Sequence, residues 1–250
     1  DSLYGDPKHR LLGRVQMNWI NSQLDSTTAR WKVIANQLMV AHLGVFGTPV
    51  VFENWDGYPV ERTTFYNNLK DNNIDNVLFV TGDFHCSFAN DLCDLSTNPA
   101  YYDPQTGAGS VATEFVVPSI TGDNFDEGNT FGFTSAEQAV TLLQLSNPHV
   151  HYAELTSHGY ILLDIDSSRA QAEFWYMDNI KDPYNNGEYL AKIYKTEHAA
   201  NHVIEDSVAS LPKTNIPLAP PADTCNTINT ETIAQNFPIV LSVAPNPFDQ

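Results

Sequence analysis

Residues 77–85 read Val77-Leu78-Phe79-Val80-Thr81-Gly82-Asp83-Phe84-His85, and this stretch decides the fold. Its first five residues form a continuous apolar run without alternation. That pattern suits a central strand buried on both faces, as in a sheet covered by other layers on each side. The run then breaks at Gly82 into a carboxylate and an imidazole. Ligand sites in open α/β sheets gather beyond the C-terminal ends of strands. Asp83 and His85 are two residues apart, so in an extended segment they would project to the same side. A carboxylate oxygen and an imidazole nitrogen so placed could meet one metal cluster. The plain alternative is a turn aspartate beside a histidine satisfied by its neighbours.

Working outward, residues 12–25 carry Met17, Ile20 and Leu24 at helical spacing, with Trp19 widening the apolar face. Residues 31–37 read as a strand, continued by the apolar run 38–46. A loop with Gly47, Pro49, Gly57 and Pro59 precedes a helix expected over 61–71. A strand is expected over 111–117 and a helix over 134–145. Strands follow at 150–155, 160–165 and 170–177, the last two joined by a hairpin-like turn at Asp166-Ser167-Ser168-Arg169. Together these elements predict a layered, mixed α/β domain. Its expected span is 1–206, followed by a linker at 207–234 that is rich in Pro, Thr and Asn and without periodicity.

Acidic residues outnumber Lys and Arg by 30 to 12, for a net charge of −18. Such a surface repels nucleic acid and anionic membranes, so neither is an expected partner. It would also repel phosphate esters, and a phosphate-handling site here needs local cations. No apolar run approaches the ~20 residues of a membrane span. Cys86, Cys93 and Cys225 form no CxxC pair, which argues against a structural zinc site. A Cys86–Cys93 disulfide stays open at this point.

Five segments, in order, carry a resemblance. They are 11–37 (LLGRVQMNWINSQLDSTTARWKVIANQ), 55–62 (WDGYPVER), 82–92 (GDFHCSFANDL), 112–120 (ATEFVVPSI) and 147–180, which opens NPHVHYAELTSHGY. As a set they resemble the alkaline phosphatase D (PhoD-like) family. The resemblance implies a phosphoesterase fold of the calcineurin-like superfamily at large. It implies hydrolysis of small phosphate mono- or diesters at a cluster of ferric iron (Fe3+) with calcium (Ca2+). Carried over residue by residue, it makes Asp83 a calcium ligand, His85 an iron ligand and Asp56 a second calcium ligand. For Asp56 the alternative is a turn residue beside Gly57. Arg62 could hold a phosphate oxygen bidentately or form a helix-surface ion pair. His158 could line the substrate pocket or serve a turn.

The family's preceding half supplies a cysteine, aspartates, a tyrosine and an asparagine to the metals, and no segment here resembles those motifs. The chain is therefore expected to hold the second half of a site, to lack the true N-terminus and to have little activity alone. Other histidines read as less promising. His149 and His151 alternate along a strand and suit ordinary packing. His198 and His202 lie at i, i+4 on a possible helix, where a solvated face is the expected reading.

Residues 235–250 include FPIVLSVAPNPFDQ, which resembles the opening of the C-terminal sorting domain of Bacteroidetes-type type IX secretion. That implies export, with the type IX machinery as a partner and a secreted or cell-surface location. Two other functions compete with the phosphoesterase. One is a non-catalytic calcium-binding or adhesion module on a sorting tail. The other is a calcineurin-like hydrolase with two transition metals.

Overall fold

The computed structural model describes residues 3–127, 135–182, 184, 187–212 and, for the backbone alone, 239–241. Three helices, α1 (Gly13–Ser26), α2 (Pro59–Asp71) and α3 (Ala136–Ser146), accompany twelve strands among the described residues. In chain order the strands are β1 (Trp31–Asn36), β2 (Gly44–Val45), β3 (Thr48–Pro49), β4 (Val77–Thr81), β5 (Ser87–Leu92) and β6 (Ala112–Val116). After them come β7 (Val150–Glu154), β8 (Gly159–Ile165), β9 (Arg169–Met177), β10 (Glu188–Glu197), β11 (Val203–Asp206) and β12 (Ile239–Leu241).

The larger sheet has six strands in the order β12-β1-β4-β6-β5-β7. β12, β1, β4 and β6 run parallel, and β5 is antiparallel to both β6 and β7. The second sheet is a four-stranded antiparallel meander, β11-β10-β9-β8. Side-chain alternation divides the interior in two. On one face Val77, Phe79, Phe88, Leu92 and Val116 pack with Met17 and Leu24 of α1, Phe65 and Leu69 of α2 and Leu143 of α3. On the other face Trp31, Leu78, Ala89 and Phe115 meet Ala172, Phe174, Tyr176 and Tyr194 of the second sheet. The result is three layers: helices, mixed sheet, antiparallel sheet. β4 is buried on both faces because a layer covers each side, as its unbroken apolar run requires.

Several boundaries shift for identifiable reasons. β1 stops at Asn36, and residues 38–43 of the apolar run after it form a largely buried loop rather than a continued strand. Its backbone donors find a side chain instead of a neighbouring strand: Val40 N and Ala41 N donate to the two oxygens of Glu114 (2.8 and 3.0 Å). α3 starts at Ala136 because the Ser135 hydroxyl caps it, accepting from Gln138 N; Thr134 lies outside the described residues. The helix expected around His198 and His202 is absent. The chain there is the end of β10, a turn and the start of β11, held by pairing from Ile193–Asp206 to Thr196–Val203.

Cys86 and Cys93 are both free and buried. They flank β5, whose length of roughly 20 Å holds them much too far apart to bridge. The expected linker and tail lie outside the described residues except for 207–212 and Ile239–Leu241. Contacts run past residue 206: Ser210 N and Oγ both donate to Glu173 Oε1 (2.5 and 2.7 Å). β12 pairs with the outer edge of β1, Trp31 opposite Ile239. Among the described residues no helix is long and apolar enough to cross a membrane.

Candidate metal centre

β4 delivers the Gly82–His85 turn to the end of the sheet. Asp83 and His85 are both exposed and both line one open cavity of about 190 Å³ with Glu53, Cys86, Asp123 and Asn124. The route by which they share a side differs from the expectation. The segment is not extended: Asp83 and His85 each adopt a left-handed backbone, with φ of 64°. Gly82 does not take the unusual conformation, and a Cβ there would meet nothing within 4 Å. Left-handed backbone at non-glycine residues is uncommon, and Asp and His are among those enriched there. Such strain persists where the surroundings over-determine it.

Those surroundings are specific. Ser119 N donates to His85 O (3.3 Å). His85 Nδ1 lies 2.7 Å from the Asp123 carbonyl oxygen. A carbonyl can only accept, so Nδ1 carries the proton and Nε2 of the neutral ring keeps its lone pair. Metal-binding imidazoles are oriented by this kind of outer contact. Gly122 permits it, since a Cβ at that position would come within 2.9 Å of the His85 ring. The donor set on the cavity wall is thus one imidazole with the carboxylates of Glu53, Asp83 and Asp123. Imidazole suits iron and carboxylates suit calcium, so these residues fit part of a shell for either. Cys86 is turned to the interior: its Sγ donates to Leu155 O (3.4 Å), and burial pushes its thiol up to about 12.

Asp56 and Arg62 do not line this cavity; they face each other. Arg62 Nη1 donates to Asp56 Oδ1 (2.6 Å), and His42 Nδ1 is 2.7 Å from the same oxygen. Leu43 N donates to Asp56 Oδ2 (2.8 Å). Asp56 is 1% exposed and Arg62 9%. Burial pushes the Asp56 carboxyl up, but His42, Arg62 and the Leu43 amide together outweigh it and hold it below its usual range. The pair is therefore a buried clamp, not the helix-surface ion pair that the sequence allowed. It ties the start of α2 to the 38–43 loop, where Arg62 also meets Val40 O (3.3 Å).

His158 is likewise engaged rather than presented. Its Nδ1 is 3.0 Å from Ser119 Oγ and its Nε2 2.9 Å from Glu127 Oε2. It braces the loop that carries Asp123. His149 is fully buried; burial and His42 lower it to about 4, so it is neutral near pH 7.

Three contributors were not visible from spacing. Glu53 and Asp123 reach the cavity from loops distant in sequence. Glu114, fully buried on β6, accepts from Val40 N, Ala41 N, Thr81 Oγ1 (2.7 Å) and Asn90 Nδ2 (3.2 Å). It locks the end of β4 to the loop beside it. A second grouping, Asp91 with His151 and His202, brings three donor atoms within 4.8 Å of one another and could hold a metal ion.

Comparison with known proteins agrees with this architecture. The chain is 29% identical over 184 residues to alkaline phosphatase D of Bacillus subtilis (strain 168), covering 71% of this chain and 28% of that protein. It superposes on the solved structure of PhoD with a TM-score of 0.69 and 25% identity, over 84% of this chain and 38% of that one. The chain thus spans well under half the length of either relative. The PhoD-like phosphatase family profile matches residues 2–174. A match over most of the chain, with the same mixed α/β fold, places this protein in the PhoD-like phosphatase family.

Proposed function

We propose that this chain carries part of the metal centre of a phosphoesterase acting on phosphate mono- or diesters. The observation that carries the reading is the pair Asp83 and His85 on one open cavity, with His85 Nδ1 fixed on a carbonyl and Nε2 left as a donor. His85 would hold ferric iron and Asp83 calcium, with Glu53 and Asp123 at hand on the same wall. Asp56 would contribute only if the buried clamp opened, since Oδ1 is taken by Arg62 and His42 and Oδ2 accepts from Leu43 N. Bound cations supply positive charge for the phosphoryl oxygens and for a water nucleophile. The protein's own residues orient the ligands: Asp123 and Ser119 hold His85, and His158 holds the loop that Asp123 occupies. Arg62 and His158 act in this reading as positioning residues, because Arg62 Nη1 and both ring nitrogens of His158 already have partners.

The net charge of −18 makes cations at the cavity necessary for any phosphate ester to approach. Calcium wants about 6–8 oxygens, and the cavity wall offers few. We therefore expect the 250-residue chain alone to turn over little substrate. The family resemblance of the last residues supports export by type IX secretion machinery to the surface or beyond.

The test is turnover of a phosphomonoester and a phosphodiester with iron and calcium added. It compares this chain with a form extended by the preceding half that the family possesses. The extended form should be active and should lose at least about 100-fold on His85→Ala. Turnover untouched by His85→Ala would sink the site assignment. Strong turnover by the shorter chain, abolished by His85→Ala, would show the site complete within it. Metal analysis separates the rivals: calcium without iron supports a non-catalytic calcium-binding or adhesion module, and two transition metals another hydrolase class.

A further inference from the structure

Asp91 sits at the far end of β5 from His85, roughly 20 Å away along the strand. It is fully buried, yet three polar groups from other elements converge on its Oδ2. His202 Nδ1 lies at 2.7 Å, Tyr102 OH at 2.8 Å and His151 Nε2 at 3.1 Å. The other oxygen, Oδ1, accepts from Val203 N at 2.7 Å. Tyr102 OH is also 3.2 Å from His151 Nε2. The elements involved are separate: Asp91 and His151 belong to the larger sheet, His202 leads into β11 of the smaller one, and Tyr102 comes from the loop after β5.

We propose that Asp91, His151 and His202 bind a structural zinc ion, with the Tyr102 hydroxyl or a water completing the shell. Three arguments carry this. The donor atoms lie within 4.8 Å of one another, a spread that a small relaxation brings onto one four-coordinate ion with bonds of about 2.0–2.2 Å. Two imidazoles and one carboxylate suit zinc and its neighbours, whereas calcium seeks oxygen alone. The His202 ring is held from behind: the Gln105 backbone hydrogen-bonds to it, and the 103–110 loop presses so closely that a Cβ at Gly107 would come within 2.4 Å of His202 Cβ.

Enclosure favours a structural role. The side chains of His151 and His202 are only 17% and 12% exposed, which leaves little room for a substrate. The ion would join the two sheets at the end opposite the candidate phosphoesterase centre. His202 lies beyond residue 174, where the family match stops, so the matched region holds Asp91 and His151 but not the complete site.

The test uses the full 250-residue chain with His85→Ala, so that failure of the phosphoesterase reading cannot affect it. The protein is loaded with zinc and desalted, and metal is counted by mass spectrometry. About one zinc per chain is expected, with a rise in Tm on loading. Cobalt in place of zinc should give the visible absorption of a four-coordinate ion. His202→Ala and His151→Gln should each weaken zinc binding at least about tenfold and remove the Tm rise. Zinc lost on desalting, a six-coordinate cobalt spectrum, or binding unchanged in both variants would overturn the proposal. The loading and cobalt measurements need neither ligand variant, so they decide the matter even if those variants fold poorly.

Discussion

Asp56→Ala should cost about 3–5 kcal/mol of folding stability, measured as the shift of the denaturant unfolding midpoint at constant slope. The substitution leaves the Arg62 guanidinium buried without its hydrogen-bonded anion, because Asp56 is the side chain that meets it at 2.6 Å. Leu43 N also loses its acceptor in the interior. Most domains are stable by only about 5–15 kcal/mol, so this single change consumes a large share. Removing both charges should hurt less than removing one. Asp56→Ala with Arg62→Met takes away the orphaned cation and fills its space, and should recover about 1–2 kcal/mol relative to Asp56→Ala alone. A loss below about 1 kcal/mol for Asp56→Ala, or a double variant no better than the single, would show that the clamp is not what holds the 38–43 loop.

Glu114→Ala should cost about 3 kcal/mol or more by the same measurement. Four donors converge on this carboxylate, two of them backbone amides of Val40 and Ala41 that have no strand to pair with. Alanine would leave them facing a cavity. Burial pushes the Glu114 carboxyl upward despite those four hydrogen bonds. Glu114→Gln separates shape from chemistry. Its oxygen can still accept from Ala41 N and Asn90, and its amide can donate to the Thr81 hydroxyl, which is able to accept. Val40 N is then the one donor left opposing another donor. The glutamine variant should therefore lose only about 1–2 kcal/mol. Equal losses for the two variants would mean that charge, not the geometry of acceptance, fastens the loop.

These two clamps also explain what could be read from the sequence and what could not. β4 was legible to the residue because five consecutive apolar side chains admit few other interpretations, and the β8–β9 hairpin because a polar turn separates two apolar runs. Residues 38–43 were misleading. Their apolar character is real, but Glu114, some 73 residues from Ala41 in sequence, supplies the partners that a strand would otherwise provide. β5 was hidden for the converse reason. Ser87, Asn90 and Asp91 look like surface residues, yet all six positions of the strand are buried, with Asn90 and Asp91 meeting side chains from other elements. The Asp83–His85 motif was visible, but not the turn that aims it. Glu53 and Asp123 could not be paired with it from spacing, because loops far apart in the chain bring them there.

The left-handed backbone at Asp83 and His85 has a consequence for which substitutions these positions can accept. A variant here is filtered twice, once for what its side chain can bind and once for the handedness of its main chain. Valine, isoleucine and threonine fail the second filter whatever their chemistry, while asparagine passes it with ease. Glycine passes best, since an L side chain in this region costs on the order of 1 kcal/mol. The residue most comfortable in the fold at both positions is thus the one with nothing to offer a ligand. Selection for a sturdier protein and selection for a working cavity pull these two positions in opposite directions.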